Sequence, residues 1–540
     1  MGRLRAGLLV FLGVFAVYVY TAYPTVAPRD SGDLAAAVLD FRPAHPPGYP
    51  LYVLLGKAWI SLIPWGEPAY RLNLMSAAAG AGCVATLFLL LARSCGTWPG
   101  LAAALALAFS APLWKFSLLC EMYSLHGLLL AVLLLLAPGP GQDEGSGRRR
   151  LRWSAFLLGL ALVNHQAFLL AVPGLAVLWW EELSSAANRR LLWTAGLPLL
   201  LLGLAPYLFL WVRLGDLGRA WAVLTRQEYG TWQLSAGLSR PMSWGLAASL
   251  LGHFFKALWQ GTSPVVLGLA LLGAVDLALR VRRFAAGLLA LLLCFGPAFY
   301  LATRFDLSGW VARTVMESAL VAPAVLVCLC AGFGLAWALR RKQALGLVLA
   351  AAAVLGPLWQ NGAASFHRDD FSAYDYALDL RRALPPGSTA VVGGDTALYA
   401  SRYLDLAHPD GQGRRLVFYQ DASPGARPDF VLGLSLARLA ALGLGPEKLY
   451  PAGLAQGLLP ASAAVSAWEF SALRRGQALR QEESYARDIL LSYAFAHYLD
   501  GVLRQARRDP GAQRDFALAA ALDPEDYRLE YEPAPAPRDR

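Results

Sequence analysis

Charge is what this chain has least of. Only 16% of its 540 residues are Asp, Glu, Lys or Arg, 57% are hydrophobic, and the mean hydropathy is +0.44. Soluble domains carry roughly 25% charged residues. The deficit and the long apolar runs therefore exclude an ordinary soluble enzyme and indicate a polytopic membrane protein. Cysteine is scarce too. The six, at positions 83, 95, 120, 294, 328 and 330, lie mostly inside apolar runs, with none after Cys330. That argues against a disulfide framework, and no Cys/His spacing suits zinc. Missing as well are a Gly-x-Gly-x-x-Gly fingerprint, a lysine where a phosphate loop would need one after Gly393-Gly394-Asp395, a Ser/His/Asp nucleophile motif and a His-Glu-x-x-His. Gly393 to Asp395 reads as a turn at a strand end. The net charge of +10 would suit nucleic acid in a soluble protein, but the arginines cluster at the ends of apolar runs. That is the positive-inside pattern, so nucleic acid is discounted as a partner.

What is present is a series of apolar runs, at 6–23, 71–92, 98–114, 122–138, 151–163, 166–181, 190–212, 258–279, 284–302, 312–339 and 344–360. A crossing takes about 20 residues, so these predict about 11 transmembrane helices. The first run has no small-x-small cleavage site behind it and reads as an uncleaved helix with its N-terminus in the cytoplasm. The clusters Arg148–Arg152, Arg189–Arg190, Arg280–Arg283 and Arg340–Lys342 then all fall on the cytoplasmic side. Parity makes Tyr49 to Pro64 an interfacial helix on the outer face. Past Asn361 the charges, Pro and Gly rise. The expected organisation is a membrane domain over 1–360, an extracytoplasmic α/β domain over 361–475, a helical tetratricopeptide-like cap over 476–530 and a disordered tail over 531–540. The abundance of Arg over Lys, with Ala, Leu and Gly, fits a GC-rich bacterial genome and hence an inner membrane.

The stretch Pro28 to Pro50 breaks the apolar pattern with Arg29, Asp30, Asp33, Asp40, Arg42 and His45. Acids beside a bilayer are costly and are functional candidates by default. If a helix opens near Ser31, Asp30 and Asp33 share one face of it, and each would perturb the other's proton affinity. They are the candidate catalytic acids; an ordinary capped helix start is the plain alternative, and both can hold together. His45, between prolines, Tyr49, Glu121, Tyr123, Asn164 and His165 are candidate substrate contacts. Asn164 and His165 form a polar step inside an apolar stretch, which is equally the pattern of a hydrogen bond between helices. Arg213, Arg226, Arg304 and Arg313 are predicted on the outer side, against the arginine bias, and are candidates for holding a phosphate.

Six motifs occur in order: Asp30-Ser-Gly-Asp33, His45-Pro-Pro-Gly-Tyr-Pro50, Arg71-Leu-Asn-Leu-Met-Ser76, Glu121-Met-Tyr-Ser124, Asn164-His165 and Arg226-Gln-Glu-Tyr-Gly230. Together they resemble the DUF2723 family, whose animal relative is the transmembrane protein 260 type of protein O-mannosyltransferase. The resemblance implies a GT-C class glycosyltransferase, in which an acid of the first outer loop is the base. Here the matching positions are Asp30 and Asp33, the second standing where the family more often has Glu. It also implies a polyprenyl-phosphate sugar as donor, a protein or glycan hydroxyl as acceptor and membrane lipid as surroundings. No cofactor is expected and no obligatory divalent metal, although two acids could recruit one. Two other classes stay open: a transporter or flippase of a lipid-linked sugar using the same acids for proton coupling, and a scaffold acting through its C-terminal part.

Overall fold

The computed structural model describes residues 2–28, 30–140, 147–230, 239–422, 428–458 and 484–523. Arg29, residues 476–483 and 524–530 of the expected cap and the expected tail at 531–540 lie outside them. The chain forms two compact units. One comprises 1–22, 41–66 and 70–368, the other 23–40, 67–69 and 369–540.

The first unit is helical. Among the described residues six helices are long and apolar enough to cross a membrane: Gly2–Thr21, Pro68–Ser94, Ala186–Leu214, Arg282–Thr303, Val311–Arg341 and Gln343–Asn361. A seventh arises if Trp244–Thr262 and Pro264–Arg280, bent by 106° at their junction, count as one. This is fewer than the eleven expected, and the reasons are local. The run at 98–114 is broken at Phe109 and Ser110 into Thr97–Ala108 and Ala111–Phe116. Tyr123–Leu136 has 14 residues. Gly147–Asn164 spends its first turns on Arg148, Arg149, Arg150 and Arg152. Gln166–Leu178 starts as a 3-10 turn. Pro50–Leu62, expected at the interface, is a short apolar helix with Leu62 exposed, and Trp65 just beyond it is exposed too.

Glycine sets the closest helix crossings. A Cβ on Gly273 would stand 1.8 Å from the Cys330 carbonyl oxygen, and one on Gly334 would stand 1.9 Å from that of Leu269. Small residues let backbones approach in this way where lipid offers no hydrophobic drive for association. At one end of these two helices Asp276 bonds Arg280 at 2.7 Å and Arg340 at 3.4 Å. Two of the arginine clusters assigned to one side of the membrane are thereby held at one end of the bundle.

The second unit is built on a five-stranded sheet in the order β2-β1-β3-β5-β4, where β1 is Thr389–Val392, β2 Arg415–Phe418, β3 Phe430–Leu432, β4 Leu449–Ala452 and β5 Ala455–Leu458. The first three strands are parallel, and β4 and β5 form an antiparallel hairpin. The Asp395–Ala407 helix makes the crossover from β1 to β2 and packs with Ser372–Ala383 through Ala377, Ala400 and Leu404. Val391, Val431 and Leu434 share a core with Leu499 and Leu503 of the Ser484–Ala506 helix. That helix forms a hairpin with Ala512–Leu522, closed by Gly501 against the Phe516 ring. Gly393 passes so close to the Gly433 carbonyl that a Cβ would stand 2.1 Å from it, which explains a glycine at this strand end.

The division departs from the boundary drawn at 360. The segment 23–40, with both candidate acids, belongs to the same compact unit as the α/β layer. The cause is packing: the Asp30–Asp40 helix lies on Asp395–Ala407.

Candidate active site

Two constellations carry the candidate residues, one in each unit. In the second unit, the helix that holds the acids begins at Asp30 and reaches Asp40. Asp30 and Asp33 both lie in its first turn, where carboxylates favour the exposed N–H groups and the helix dipole. Asp33 is buried and Asp30 half-buried. The Ser31 hydroxyl accepts from the Ala27 N–H at 3.3 Å and fixes the approach to the helix.

In the first unit, rings gather around His165. Its ring centroid lies 5.6 Å from Tyr123, 5.7 Å from His126 and 6.2 Å from Tyr49, and Tyr49 in turn meets His45 edge-on at 5.1 Å. The neighbours of His165 in sequence hold it there. Asn164, fully buried, donates from Nδ2 to the Met122 carbonyl at 3.2 Å. Gln166 donates from Nε2 to the Leu224 carbonyl at 2.6 Å. The polar triplet thus ties the start of the Tyr123–Leu136 helix to the turn before Arg226, with the imidazole between them. His165 Nδ1 accepts from the Ala167 N–H at 3.2 Å, which leaves Nε2 as the donor of the neutral ring. Burial, then the positive charge of Arg226, then His45 push this imidazole down to about 4. It is a neutral hydrogen-bond donor at physiological pH, suited to holding an oxygen and not to delivering protons.

Glu121 is buried beside this cluster. Its carbonyl accepts from Ser76 Oγ at 3.2 Å, and the Tyr52 hydroxyl lies 3.2 Å from the same Oγ. Tyr52 and Ser76, with Trp59, Met75, Ser124 and Leu125, line a mostly apolar cavity of about 240 Å³.

The four arginines divide. Arg226, in a left-handed turn at φ 56°, acts on His165. Arg213 stands 5.6 Å over the Phe41 ring, which Lys57 also approaches, at 5.8 Å. Arg304 and Arg313 keep to the corner at 303–313. The Arg304 carbonyl accepts from the Arg240 N–H at 2.8 Å, and the Arg313 guanidinium donates to the Leu307 and Ser308 carbonyls at 3.0 and 2.7 Å. Arg313 is thus engaged in closing its own loop. Among the described residues no cluster of three or more His, Cys, Asp or Glu could hold a metal ion.

Residues 30–185 match the family model described as Protein O-mannosyl-transferase TMEM260 N-terminal domain. The acids and every ring around His165 named above lie inside that stretch. The chain is 28% identical over 434 residues to Protein O-mannosyl-transferase TMEM260 of Mus musculus, covering 75% of this chain and 61% of that protein. It is 26% identical over 459 residues to Protein O-mannosyl-transferase tmem260 of Dictyostelium discoideum, covering 74% and 55%. The chain therefore spans little more than half the length of these relatives. Its fold is similar to that of ArnT from Cupriavidus metallidurans bound to undecaprenyl phosphate, with a TM-score of 0.54 at 14% identity over 84% of this chain and 96% of that one. The apo form gives a TM-score of 0.55 at 15% identity. At such identity the likeness shows the fold. With the apolar helices it makes this an integral membrane protein. The matching family description names TMEM260, the type of relative that the motifs point to.

Sequence reasoning missed His126, Tyr52 and Glu67. His126 and Tyr52 each follow a chosen residue, Tyr123 and Tyr49, by one helical turn, so the i, i+3 spacing was the available signal. Glu67 lies in a short exposed-looking link and gave none.

Proposed function

We propose that this protein is a membrane glycosyltransferase that moves a sugar, mannose or another hexose, from a polyprenyl-phosphate donor to a hydroxyl of a protein Ser or Thr or of a glycan. What carries the reading is the match over 30–185, which holds both acids and the whole ring cluster, to a protein O-mannosyltransferase domain. The ArnT-like fold supports a donor on a lipid phosphate. The acceptor oxygen attacks the anomeric carbon as its bond to the phosphate oxygen breaks. The hydroxyl proton goes to Asp30 or Asp33, and polyprenyl phosphate leaves with inversion. Asp30 is the favoured base. Arg226 steadies the charge growing on the leaving phosphate, a task for which a guanidinium is suited. His165 donates from Nε2 to a substrate oxygen, while Tyr49, Tyr123 and His45 present ring faces and edges to the sugar. The apolar cavity beside Tyr52 offers room for the first prenyl units. The arginine clusters favour a cytoplasmic N-terminus with the acids and the C-terminal part outside, in a bacterial inner membrane.

The test uses purified protein in vesicles with polyprenyl-phosphate mannose and a Ser/Thr-rich peptide. Asp30→Asn and Asp33→Asn are each assayed; the base is the one whose loss removes at least ~10³-fold of the rate, at the upper part of the range for general bases. Transfer at the wild-type rate in both variants would sink the proposal. Movement of the lipid-linked sugar between leaflets without transfer would favour the transporter reading instead.

A further inference from the structure

We propose that the Asp395–Ala407 helix positions the acid helix for the transfer step, through the Tyr399 backbone beneath Gly32 and the Tyr403 hydroxyl on Glu67. This rests on the reading that Asp30 or Asp33 is the base. It gives the α/β layer a part in turnover beyond folding or acceptor capture.

The acid helix has 11 residues. Helices of that length are marginal alone, so the orientation of this one is set by what it packs on. Its closest contact lies within the turn that carries the acids. A Cβ on Gly32 would stand 2.7 Å from the Tyr399 carbonyl carbon, 2.8 Å from its oxygen and 3.0 Å from the Ala400 nitrogen. These are backbone atoms of a helix and cannot swing aside. Ser31, Gly32 and Asp33 are all buried. Glycine at 32 thus sets the depth at which the first turn sits, with Asp30 and Asp33 on either side of it in sequence.

A second tie fixes the segments flanking that helix. The Tyr403 hydroxyl donates to Glu67 Oε1 in a short bond and accepts from the Ala69 N–H at 3.1 Å. The Thr25 hydroxyl donates to the same Glu67 oxygen at 2.8 Å, five residues ahead of Asp30. His408, just past the end of the same helix, brings Nε2 to 3.5 Å from Glu67 Oε2. One phenol therefore anchors the 67–69 link directly and, through Glu67, the irregular segment that carries Thr25 ahead of the acid helix. Tyr403 is fully buried, and burial followed by the Glu67 charge holds its phenol far above the ordinary value. The O–H donor persists across the physiological range. None of these groups is a candidate for touching substrate; they are positioning residues.

The experiment measures initial rates of full-length protein in vesicles with polyprenyl-phosphate mannose and a Ser/Thr-rich peptide. Tyr403→Phe and Glu67→Ala should each lower kcat about tenfold and leave the donor KM within about twofold, because small displacements of a catalytic group act on the reaction and not on donor binding. The double variant should be no slower than the slower single one, as expected when both remove one interaction. Glu67→Gln keeps an oxygen for Tyr403 and Thr25 and should retain roughly half the rate. Gly32→Ala should cost about 100-fold. Leu406→Ala, on the exposed face of the same helix, should change nothing. Should Gly32→Ala fail to accumulate in membranes, the Tyr403 and Glu67 variants decide. Wild-type kcat in Tyr403→Phe and Glu67→Ala overturns the proposal, as does a change confined to KM or a Glu67→Gln variant as slow as Glu67→Ala. Asp30→Asn and Asp33→Asn run alongside. If both still transfer sugar, the functional reading has failed; if they do not and Tyr403→Phe is unimpaired, only the positioning role has.

Discussion

Where the Pro264–Arg280 and Val321–Arg341 helices cross in the first unit, each presents a glycine to the other's backbone, Gly273 and Gly334. Gly159 and Gly203 repeat the device, with a Cβ on either falling 2.3 or 2.2 Å from a carbonyl oxygen. The second unit uses glycine too, at Gly32 and Gly393, and adds a denser set of ion pairs. Arg381 reaches Asp405 at 2.8 Å and Asp410 at 3.6 Å, Arg414 reaches Asp410 at 2.6 Å, and Arg504 reaches Asp515 at 2.9 Å. In the first unit the helices cross where glycines let backbones approach, as lipid demands; the second joins such approaches, at Gly32 and Gly393, to an apolar core edged with ion pairs. The proposed chemistry divides along the same line. The acids belong to the second unit, and the neutral imidazole and its rings to the first.

The contrast is broken most severely at the glycine crossing. Gly334→Val would force three carbons into a place where a Cβ alone would stand 1.9 Å from the Leu269 oxygen. Ordinary overpacking costs about 1–3 kcal/mol, and this site cannot relax without parting the helices, so the variant should fail to survive detergent extraction as a folded peak. Gly309→Ala, with nothing within 4 Å of the added carbon, should elute as wild type. A folded, active Gly334→Val would mean that these helices are held by something other than backbone contact.

A smaller effect is expected at the ring cluster. His165→Ala should leave the fold intact and lower kcat about 10²-fold by releasing the substrate oxygen it holds. With this imidazole already down at about 4, it contributes no titration to the wild-type rate between pH 5 and 8. A rate limb near pH 6.5 that vanishes in His165→Ala would show that it acts as a proton carrier after all. Asn164→Ala should also be slow, since Asn164 holds the turn to Met122 through its side chain.

Several of these features were legible in the residues alone. The strand Thr389–Val392 ends where Gly393 and Gly394 read as a turn at a strand end. The arginine clusters at 280–283 and 340–342 share an end because charge avoids the apolar interior. The number of spans was not legible, since hydropathy cannot see the break at Phe109 and Ser110 or the 106° bend beside Ser263. The polar step at Asn164 and His165 read equally well as a helix tie or a contact to substrate, and the structure gives the tie to Asn164 and Gln166 and leaves the imidazole among the rings. Least visible was the membership of 23–40 in the unit made by the C-terminal third. It depends on a missing Cβ at Gly32 meeting a backbone some 370 residues on, a contact with no local periodicity.

The mildest expected effect lies within the second unit, at a place where its polar construction goes against itself. Asp500 is buried at the inner face of the Ser484–Ala506 helix, with Gln456 Nε2 donating to it at 3.3 Å. Burial pushes its carboxyl well above the usual range. The Asp515 charge adds to this, while the Gln456 hydrogen bond and Arg504 oppose it. A carboxyl raised in the folded state favours folding fully only below its unfolded value near about 3.9. That contribution is lost as pH rises through the folded value, and from there on an ionised buried group is carried at a cost. Asp500→Asn keeps the acceptor for Gln456 and cannot ionise. The variant should therefore melt with the wild type near pH 4 and above it at pH 8, by roughly 2–4 °C for each kcal/mol recovered in a unit of this size. An equal gap at both pH values would mean that shape and not charge sets the difference. A variant that is less stable at pH 8 would mean that the ionised Asp500 is compensated by Arg504, and that the ion pairs of this unit extend into its core.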